Sequence, residues 1–169
     1  MKKQMKSIIS LFAICAITAI LLALTNYLTV PFVKANEEKA VQEALKEVME
    51  HGADFTELDI SAYDLPDTVI AAYGESGGGY VLKLSAKGFS PNMIIMCGVN
   101  ADGTVSGATC LSSEETLGYE KTYGDNFKGL DADSVGGVDA ISGATKTTAA
   151  YRAAIVDAID AANTLKGGN

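Results

Sequence analysis

The chain has 169 residues, 48% of them hydrophobic, and a formal net charge of −8. This length allows one domain plus an appendage. The acidic balance argues against nucleic-acid binding, because a negative surface repels the phosphate backbone, and it disfavours a peripheral hold on anionic lipids.

An uncharged stretch at residues 7–33 predicts one membrane-spanning helix. Its length is enough to cross a hydrocarbon core of about 30 Å at about 1.5 Å per residue. Three lysines within residues 2–6 precede it, so the positive-inside rule predicts a cytoplasmic N-terminus and an extracytoplasmic main domain. A cleaved signal peptide is the alternative, but the apolar core of such peptides is usually about 7–15 residues long. We therefore favour a single-pass protein of the cell membrane.

Three segments follow from changes in pattern along the chain. Residues 1–34 form the cytoplasmic N-terminus and transmembrane helix, residues 35–59 a stalk helix and linker, and residues 60–169 the main domain. Apolar residues recur at helical spacing in the stalk, and Gly52 ends it. Pro31 is predicted to break the stalk from the span.

Strand patterns replace the helical pattern after Ile60. Short apolar runs begin near Val69, Tyr80 and Met93, and the Asp102-Gly103 turn returns the chain as a further strand. The glycine-rich run before Tyr80 lacks phosphate-loop spacing and predicts a hairpin. The predicted fold class is α+β, with one N-terminal transmembrane helix and stalk, then an extracytoplasmic antiparallel-sheet domain with a C-terminal helix.

The tetrapeptide Ser-Gly-Ala-Thr occurs twice, at residues 106–109 and 142–145. The first copy follows a tight turn in a predicted strand, where a β-branched threonine packs well, and we interpret it as structural. The second copy precedes an amphipathic helix predicted over residues 147–165. Five apolar residues fall on one face of this helix: Tyr151, Ile155, Ala158, Ala162 and Leu165.

The second copy has two open interpretations. A helix start carries unpaired N–H groups and partial positive charge, which favour an anion such as phosphate. Gly143 and Ala144 would let such a group approach the backbone. Lys146 adds a positive charge, and hydroxyls gather nearby at Ser142, Thr145, Thr147 and Thr148. Alternatively, one of these hydroxyls simply caps the helix.

The sequence DAISGAT resembles the flavinylation motif of FMN-binding domains, Asp-x-x-Ser/Thr-Gly-Ala-Thr. In that family, a separate flavin transferase uses FAD and Mg²⁺ to join FMN through a phosphoester bond to the last threonine. The resemblance implies covalent FMN on Thr145. It also implies that Ser142, Gly143, Ala144 and Thr148 lie around the phosphate.

The resemblance covers nearly the whole chain. The order of span, stalk, strands, ETLGY segment and motif is similar to the G subunits of Rnf complexes, and to the C subunits of Na⁺-translocating NADH:quinone reductases. It implies an electron-transfer subunit of a membrane-bound ferredoxin:NAD oxidoreductase that moves Na⁺ or H⁺, with other membrane subunits as partners. The family pattern Glu-Thr-Pro-Gly-Leu-Gly stands here as residues 115–120, ETLGYE. Glu115, Thr116, Leu117 and Gly118 are expected to border the flavin ring.

Two other functions stay open from the sequence. One is an anchored extracytoplasmic flavoprotein of another electron route, and the other is a non-redox anchored binding module. We predict no catalytic residue of the protein's own and no metal site. The single histidine, His51, is expected to be solvated near a helix end. Cys97 and Cys110 are expected either to pair or to remain small buried side chains.

Overall fold

The computed structural model describes residues 2–168, with the side chains of residues 2–4 and 7 outside the description. Part of the basic cluster that predicts the topology therefore lies outside the described residues. The helices are α1 (Lys2–Val48), α2 (Glu120–Tyr123), α3 (Ala132–Val135) and α4 (Thr145–Gly167), and the strands are β1 (Thr56–Leu58), β2 (Val69–Gly74), β3 (Tyr80–Ala86), β4 (Met93–Val99) and β5 (Val105–Ser112).

The chain divides into two compact units, the first of which ends at Ala40. This unit is the apolar part of α1, where Phe12 and Phe32 are 75% and 72% exposed. The helix is long and apolar enough to cross a membrane. The predicted break at Pro31 is wrong, because α1 continues through it. A proline removes only one N–H donor, and apolar spans tolerate that loss.

The second unit begins at Val41 and contains the whole sheet. The five strands lie in the order β1-β2-β3-β4-β5, and each pairs antiparallel with its sequence neighbour. The predicted antiparallel sheet is confirmed. The short strand β1 lies within the segment expected to be a linker.

Both faces of this sheet are covered by helix. Because side chains alternate along a strand, Leu82 faces one side and Val81 the other. Leu82 joins the core cluster that includes Ile155 of α4. Val81 joins a second cluster with Leu45 and Val48 from the end of α1. This double cover explains why the middle strands are apolar on nearly every residue.

Helix α4 buries the apolar face that the sequence predicts. All five residues of that face are buried: Tyr151, Ile155, Ala158, Ala162 and Leu165. The helix begins at Thr145, two residues before the predicted start. The threonine of the second Ser-Gly-Ala-Thr copy is therefore the first helical residue.

The first Ser-Gly-Ala-Thr copy lies within β5, and its predicted place in a strand is confirmed. The Ser106 hydroxyl donates a 2.6 Å hydrogen bond to the carbonyl oxygen of Val48. A Cβ on Gly107 would lie 2.9 Å from the same oxygen. This copy therefore packs against the C-terminal end of α1, which lies too close to Gly107 for a side chain at that position.

The segment after β5, predicted to be irregular, contains α2, a 3-10 helix at Gly124–Phe127 and α3. Three rings fasten it to α4: Tyr123 packs edge-on against both Phe127 and Tyr151, at centroid distances of 5.2 and 5.5 Å. Cys97 and Cys110 are both free thiols. Burial raises the pKa of the Cys97 thiol to about 12, so it is unreactive.

Candidate functional site

A cleft of about 410 Å³ lies between the start of α4 and the loop that follows β5. This volume is within the usual range for small-molecule sites, roughly 300–1,000 Å³. Its walls come from three separate parts of the chain: Phe89, residues 115–117 with Tyr119 and Glu120, and residues 143–147.

Glu115 holds these parts together. Its Oε2 accepts a hydrogen bond of 2.5 Å from the hydroxyl of Thr147, in the first turn of α4. Its Oε1 accepts one of 2.9 Å from the backbone N–H of Ser90, in the connection between β3 and β4. Both carboxylate oxygens are thus used within the protein. Glu115 therefore links the β3–β4 connection to the first turn of α4 across the cleft.

The start of α4 has no side-chain cap. Ala144 occupies the N-cap position and makes no side-chain hydrogen bond. Within residues 2–168, the backbone N–H groups of Thr145, Lys146 and Thr147 have no hydrogen-bond acceptor, whereas that of Thr148 bonds the Ala144 carbonyl at 2.9 Å. The capping interpretation is therefore wrong. The first turn keeps its unpaired donors and partial positive charge at the edge of the cleft.

Gly143 shapes the approach to these donors. Its φ of +84° is in the left-handed region that favours glycine, and a Cβ there would meet nothing within 4 Å. The turn can therefore bring the chain sharply into α4 while leaving open space beside the backbone.

The predicted site residues fall into two groups. Thr145 is exposed and lines the cleft with Gly143 and Ala144, opposite Glu115, Thr116 and Leu117. Three predicted residues are not in the lining, namely Ser142, Gly118 and Thr148. Ser142 is exposed, and Gly118 lies between two lining residues. Thr148 is buried and donates its hydroxyl to the carbonyls of Ala144 and Thr145, at 3.1 and 3.3 Å.

Sequence reasoning did not connect three of the lining residues with a site: Phe89, Tyr119 and Glu120. Lys146 and Thr147, which the sequence places beside the second copy, also line the cleft. Phe89 and Leu117 are 69% and 57% exposed, although both are large and apolar. Exposed apolar side chains around a cleft are typical of a site that binds a ligand with apolar surface. Phe89 is 26 residues before Glu115 in the sequence, so only the fold brings it here.

Glu120 is the most deeply buried lining residue: it is 2% exposed, whereas Thr147 and Ala144 are 6% and 7% exposed. Its Oε1 accepts a 2.5 Å hydrogen bond from the Ser113 hydroxyl, and its Oε2 has no partner in the described part of the chain. Burial raises the pKa of the Cys110 thiol to about 11, and the charge of Glu120 adds to the effect.

The loop before α4 is held by two side chains that lie outside the cleft. The Tyr123 hydroxyl donates to the carbonyl of Asp139, the first residue of the motif, at 2.9 Å. The guanidinium of Arg152 donates to the Val138 carbonyl, also at 2.9 Å. These bonds fix the path of the chain into the second Ser-Gly-Ala-Thr copy.

Residues 88–160 match the family model described as the FMN-binding domain. The chain is also 30% identical over 140 residues to the G subunit of the Na⁺-translocating ferredoxin:NAD⁺ oxidoreductase complex of Acetobacterium woodii, covering 72% of this chain and 68% of the relative. The chain belongs to this family of G subunits. The FMN-binding region includes every residue that lines the cleft.

Two further G subunits match over more of their length. One is the G subunit of an ion-translocating oxidoreductase complex of Methanosarcina acetivorans, 29% identical over 98% of both chains. The other is the G subunit of a proton-translocating ferredoxin:NAD⁺ oxidoreductase complex of Clostridium ljungdahlii, 26% identical over 91% of this chain and 89% of the relative. The family likeness therefore extends through α1 as well as the domain.

Proposed function

We propose that this protein is a membrane-anchored electron-transfer subunit that carries FMN, joined by a phosphoester bond to the hydroxyl of Thr145. It serves an Rnf-type complex that couples electron transfer between ferredoxin and NAD to the translocation of Na⁺ or H⁺. One observation carries the proposal: an exposed threonine hydroxyl stands at an uncapped helix start, on the edge of an apolar-rimmed cleft.

The residues present fit the phosphate of FMN. A phosphodiester on Thr145 retains one negative charge, which the unpaired N–H groups of the first turn of α4 stabilise. Lys146, exposed beside the cleft, adds a positive charge in an otherwise acidic domain. Gly143 leaves room for the phosphate because nothing lies within 4 Å of where its Cβ would be.

The residues also fit the flavin ring. Phe89, Leu117 and Tyr119 give the cleft apolar and aromatic surfaces on which a flat ring can stack. Glu115 fixes two walls of the cleft relative to each other through its bonds to Ser90 and Thr147. The protein thus supplies attachment, orientation and a partly dry environment, as proteins do for redox cofactors.

When bound, FMN supplies the redox chemistry, because a flavin exchanges two electrons with some partners and single electrons with others. The chain's own residues then need to hold the cofactor and admit electron partners. No group of three or more potential metal ligands occurs among the described residues. The side chains lining the cleft are suited to binding and exclusion of water.

The anchor places this cofactor at the membrane. We propose that α1 is retained, with its N-terminus cytoplasmic and the FMN domain extracytoplasmic, and that it contacts other membrane subunits of the complex. A covalent bond would keep FMN on the protein where no cytoplasmic flavin pool can replace it. A separate flavin transferase would form the bond during maturation.

The decisive experiment is the intact mass of the full-length protein co-expressed with an active flavin transferase. We expect an added mass of FMN less one water on the wild-type protein. Thr145→Ala should lose the adduct completely, and peptide mapping should locate it on the peptide that contains Thr145. An unmodified wild-type protein, beside a control substrate that is modified, would contradict the proposal.

The chain contains its own matched control. Thr109 is the last residue of the other Ser-Gly-Ala-Thr copy, but it lies within β5. Thr109→Ala should retain the full adduct. An adduct that disappears in this variant and persists in Thr145→Ala would mean that the first copy is the attachment site.

Membership of a complex is tested separately by purifying the tagged, flavin-loaded protein from its native membrane in mild detergent. We expect ferredoxin:NAD oxidoreductase subunits to purify with it. Recovery of the flavoprotein alone would favour the stand-alone electron route. A colourless protein would favour the non-redox binding module.

A further inference from the structure

We propose that Glu120 accepts a hydrogen bond from the ring N–H of bound FMN and thereby orients the isoalloxazine in the cleft. The inference rests on the proposed FMN site and adds a residue to it. Where the family pattern of this loop ends in glycine, this chain has Glu120. The contact would therefore distinguish this protein from G subunits that follow the pattern.

The burial of Glu120 is the first observation that supports the contact. Native proteins pair nearly all buried polar atoms, and a carboxyl group is among the costliest to leave unpaired. Glu120 is 2% exposed, yet its Oε2 has no hydrogen-bond partner within residues 2–168. The same residue lines the cleft beside Tyr119. Glu120 thus combines a place in the cleft lining with an acceptor atom that the described part of the protein leaves unpaired.

Ser113 fixes which oxygen is available. Its hydroxyl donates to Oε1 of Glu120 at 2.5 Å, so Oε1 is engaged on the protein side. Oε2 is then the free acceptor. The buried Tyr151 hydroxyl also lacks a partner among the described residues, but Tyr151 does not line the cleft.

The chemistry of FMN selects the matching donor. Its phosphate offers none, its ribityl chain offers hydroxyls, and its oxidised ring offers a single N–H. Phe89, Leu117 and Tyr119 line the same cleft as Glu120, and their surfaces suit a flat ring better than a polyol. A pocket of this kind uses a few polar groups to fix the orientation of its ligand. Glu120 and the ring N–H form such a pair.

Two substitutions of Glu120 separate its charge from its hydrogen-bond acceptor. Glu120→Gln removes the negative charge but keeps an amide oxygen that can accept from the ring N–H, because the Ser113 hydroxyl can accept from the amide NH₂ as well as donate. Glu120→Leu removes both the charge and the acceptor. Glu120→Gln should therefore keep part of what Glu120→Leu loses.

The experiment uses full-length protein co-expressed with an active flavin transferase, with adduct loading measured first by intact mass. We expect both variants to shift the flavin midpoint potential in the positive direction, because each removes a negative charge beside a ring that gains electrons on reduction. Glu120→Leu should also lower the melting temperature of the loaded protein, and Glu120→Gln should lower it less. Glu114→Gln, an exposed neighbour, is the matched control and should change neither.

A flavin-free background separates cofactor contact from ordinary packing. In Thr145→Ala protein, Glu120→Leu should lower the melting temperature by less than in the loaded protein, because only the bond from Ser113 is lost there and Oε2 has no partner to lose. An equal fall in melting temperature with and without flavin would overturn the contact. So would an unmoved potential in loaded Glu120→Gln protein. A wild-type protein that carries no flavin would instead overturn the proposed function, and the Glu120 contact with it.

Discussion

The two Ser-Gly-Ala-Thr copies place the same four residues in opposite surroundings. In β5, the serine and glycine of the first copy both contact the end of α1. The Ser106 hydroxyl donates to the Val48 carbonyl, and Gly107 lies against the same carbonyl. At the start of α4, Ser142 and Thr145 are exposed, and Gly143 has open space beside it. The protein itself packs against the first copy, whereas the second copy remains accessible to a ligand.

The difference shows that the tetrapeptide alone does not define a site. Along β5, successive backbone N–H groups point to opposite edges of the strand, and one of these edges pairs with β4, so the N–H groups of the first copy do not converge on one point. At a helix start, the first donors have no intrahelical acceptor. The secondary structure around each copy therefore decides whether its small residues serve packing or binding.

The largest expected effect on stability separates the two glycines. Gly107→Ala would place a Cβ 2.9 Å from the Val48 carbonyl oxygen, with further Val48 backbone atoms at 3.1 and 3.3 Å. We expect the free energy of unfolding to fall by about 3 kcal/mol, the upper end for overpacking. Gly143→Ala meets no atom within 4 Å, so its φ of +84° alone should cost about 1 kcal/mol. Melting temperatures in detergent measure both. Equal losses would mean that the end of α1 is not tightly seated.

The second effect concerns the wall that faces the second copy. Glu115→Ala leaves the Thr147 hydroxyl and the Ser90 N–H without their acceptor. We expect a loss of about 2 kcal/mol in the free energy of unfolding, because buried donors without partners are costly. Exposed Glu114→Ala is the control and should stay within about 0.5 kcal/mol of wild type. A Glu115→Ala protein as stable as this control would show that the cleft does not depend on the two hydrogen bonds of Glu115.

The smallest effect separates the two serines. Ser106→Ala removes the 2.6 Å hydrogen bond to Val48, which should cost about 1 kcal/mol. Ser142→Ala removes an exposed hydroxyl outside the cleft lining and should change stability by less than about 0.5 kcal/mol. Chemical denaturation of both variants measures this. The reverse order would indicate that the second copy, not the first, has the structural serine.

The sequence predicts the elements of this protein better than their contacts. Alternation and turn residues identify the strands from β2 to β5, and 3.6-residue spacing identifies the buried face of α4. Both signals are local. The short β1 has only three residues and no periodicity to detect. The continuity of α1 through Pro31 was missed, because a local helix-breaking preference was outweighed by a long helix on both sides.

The site shows the same limit. The motif directs attention to residues 142–145 because small residues and hydroxyls precede an amphipathic helix. Phe89 and Glu120 carry no such signal, since the first enters the cleft from a strand connection and the second is buried only through the packing of α2. Thr148 also shows that a hydroxyl near a helix start can turn inward and bond the backbone. Side-chain direction depends on packing that one sequence does not display.

The sequential order of the five strands sets the order in which the parts of the cleft can form. Each strand pairs with the strand before it, so the sheet can grow in chain order through contacts that are close in sequence. Helix α4 follows all five strands and supplies one wall of the cleft, including Thr145. The acceptor hydroxyl therefore meets its surroundings only after the sheet is complete. A flavin attached there would mark the molecules that have finished folding.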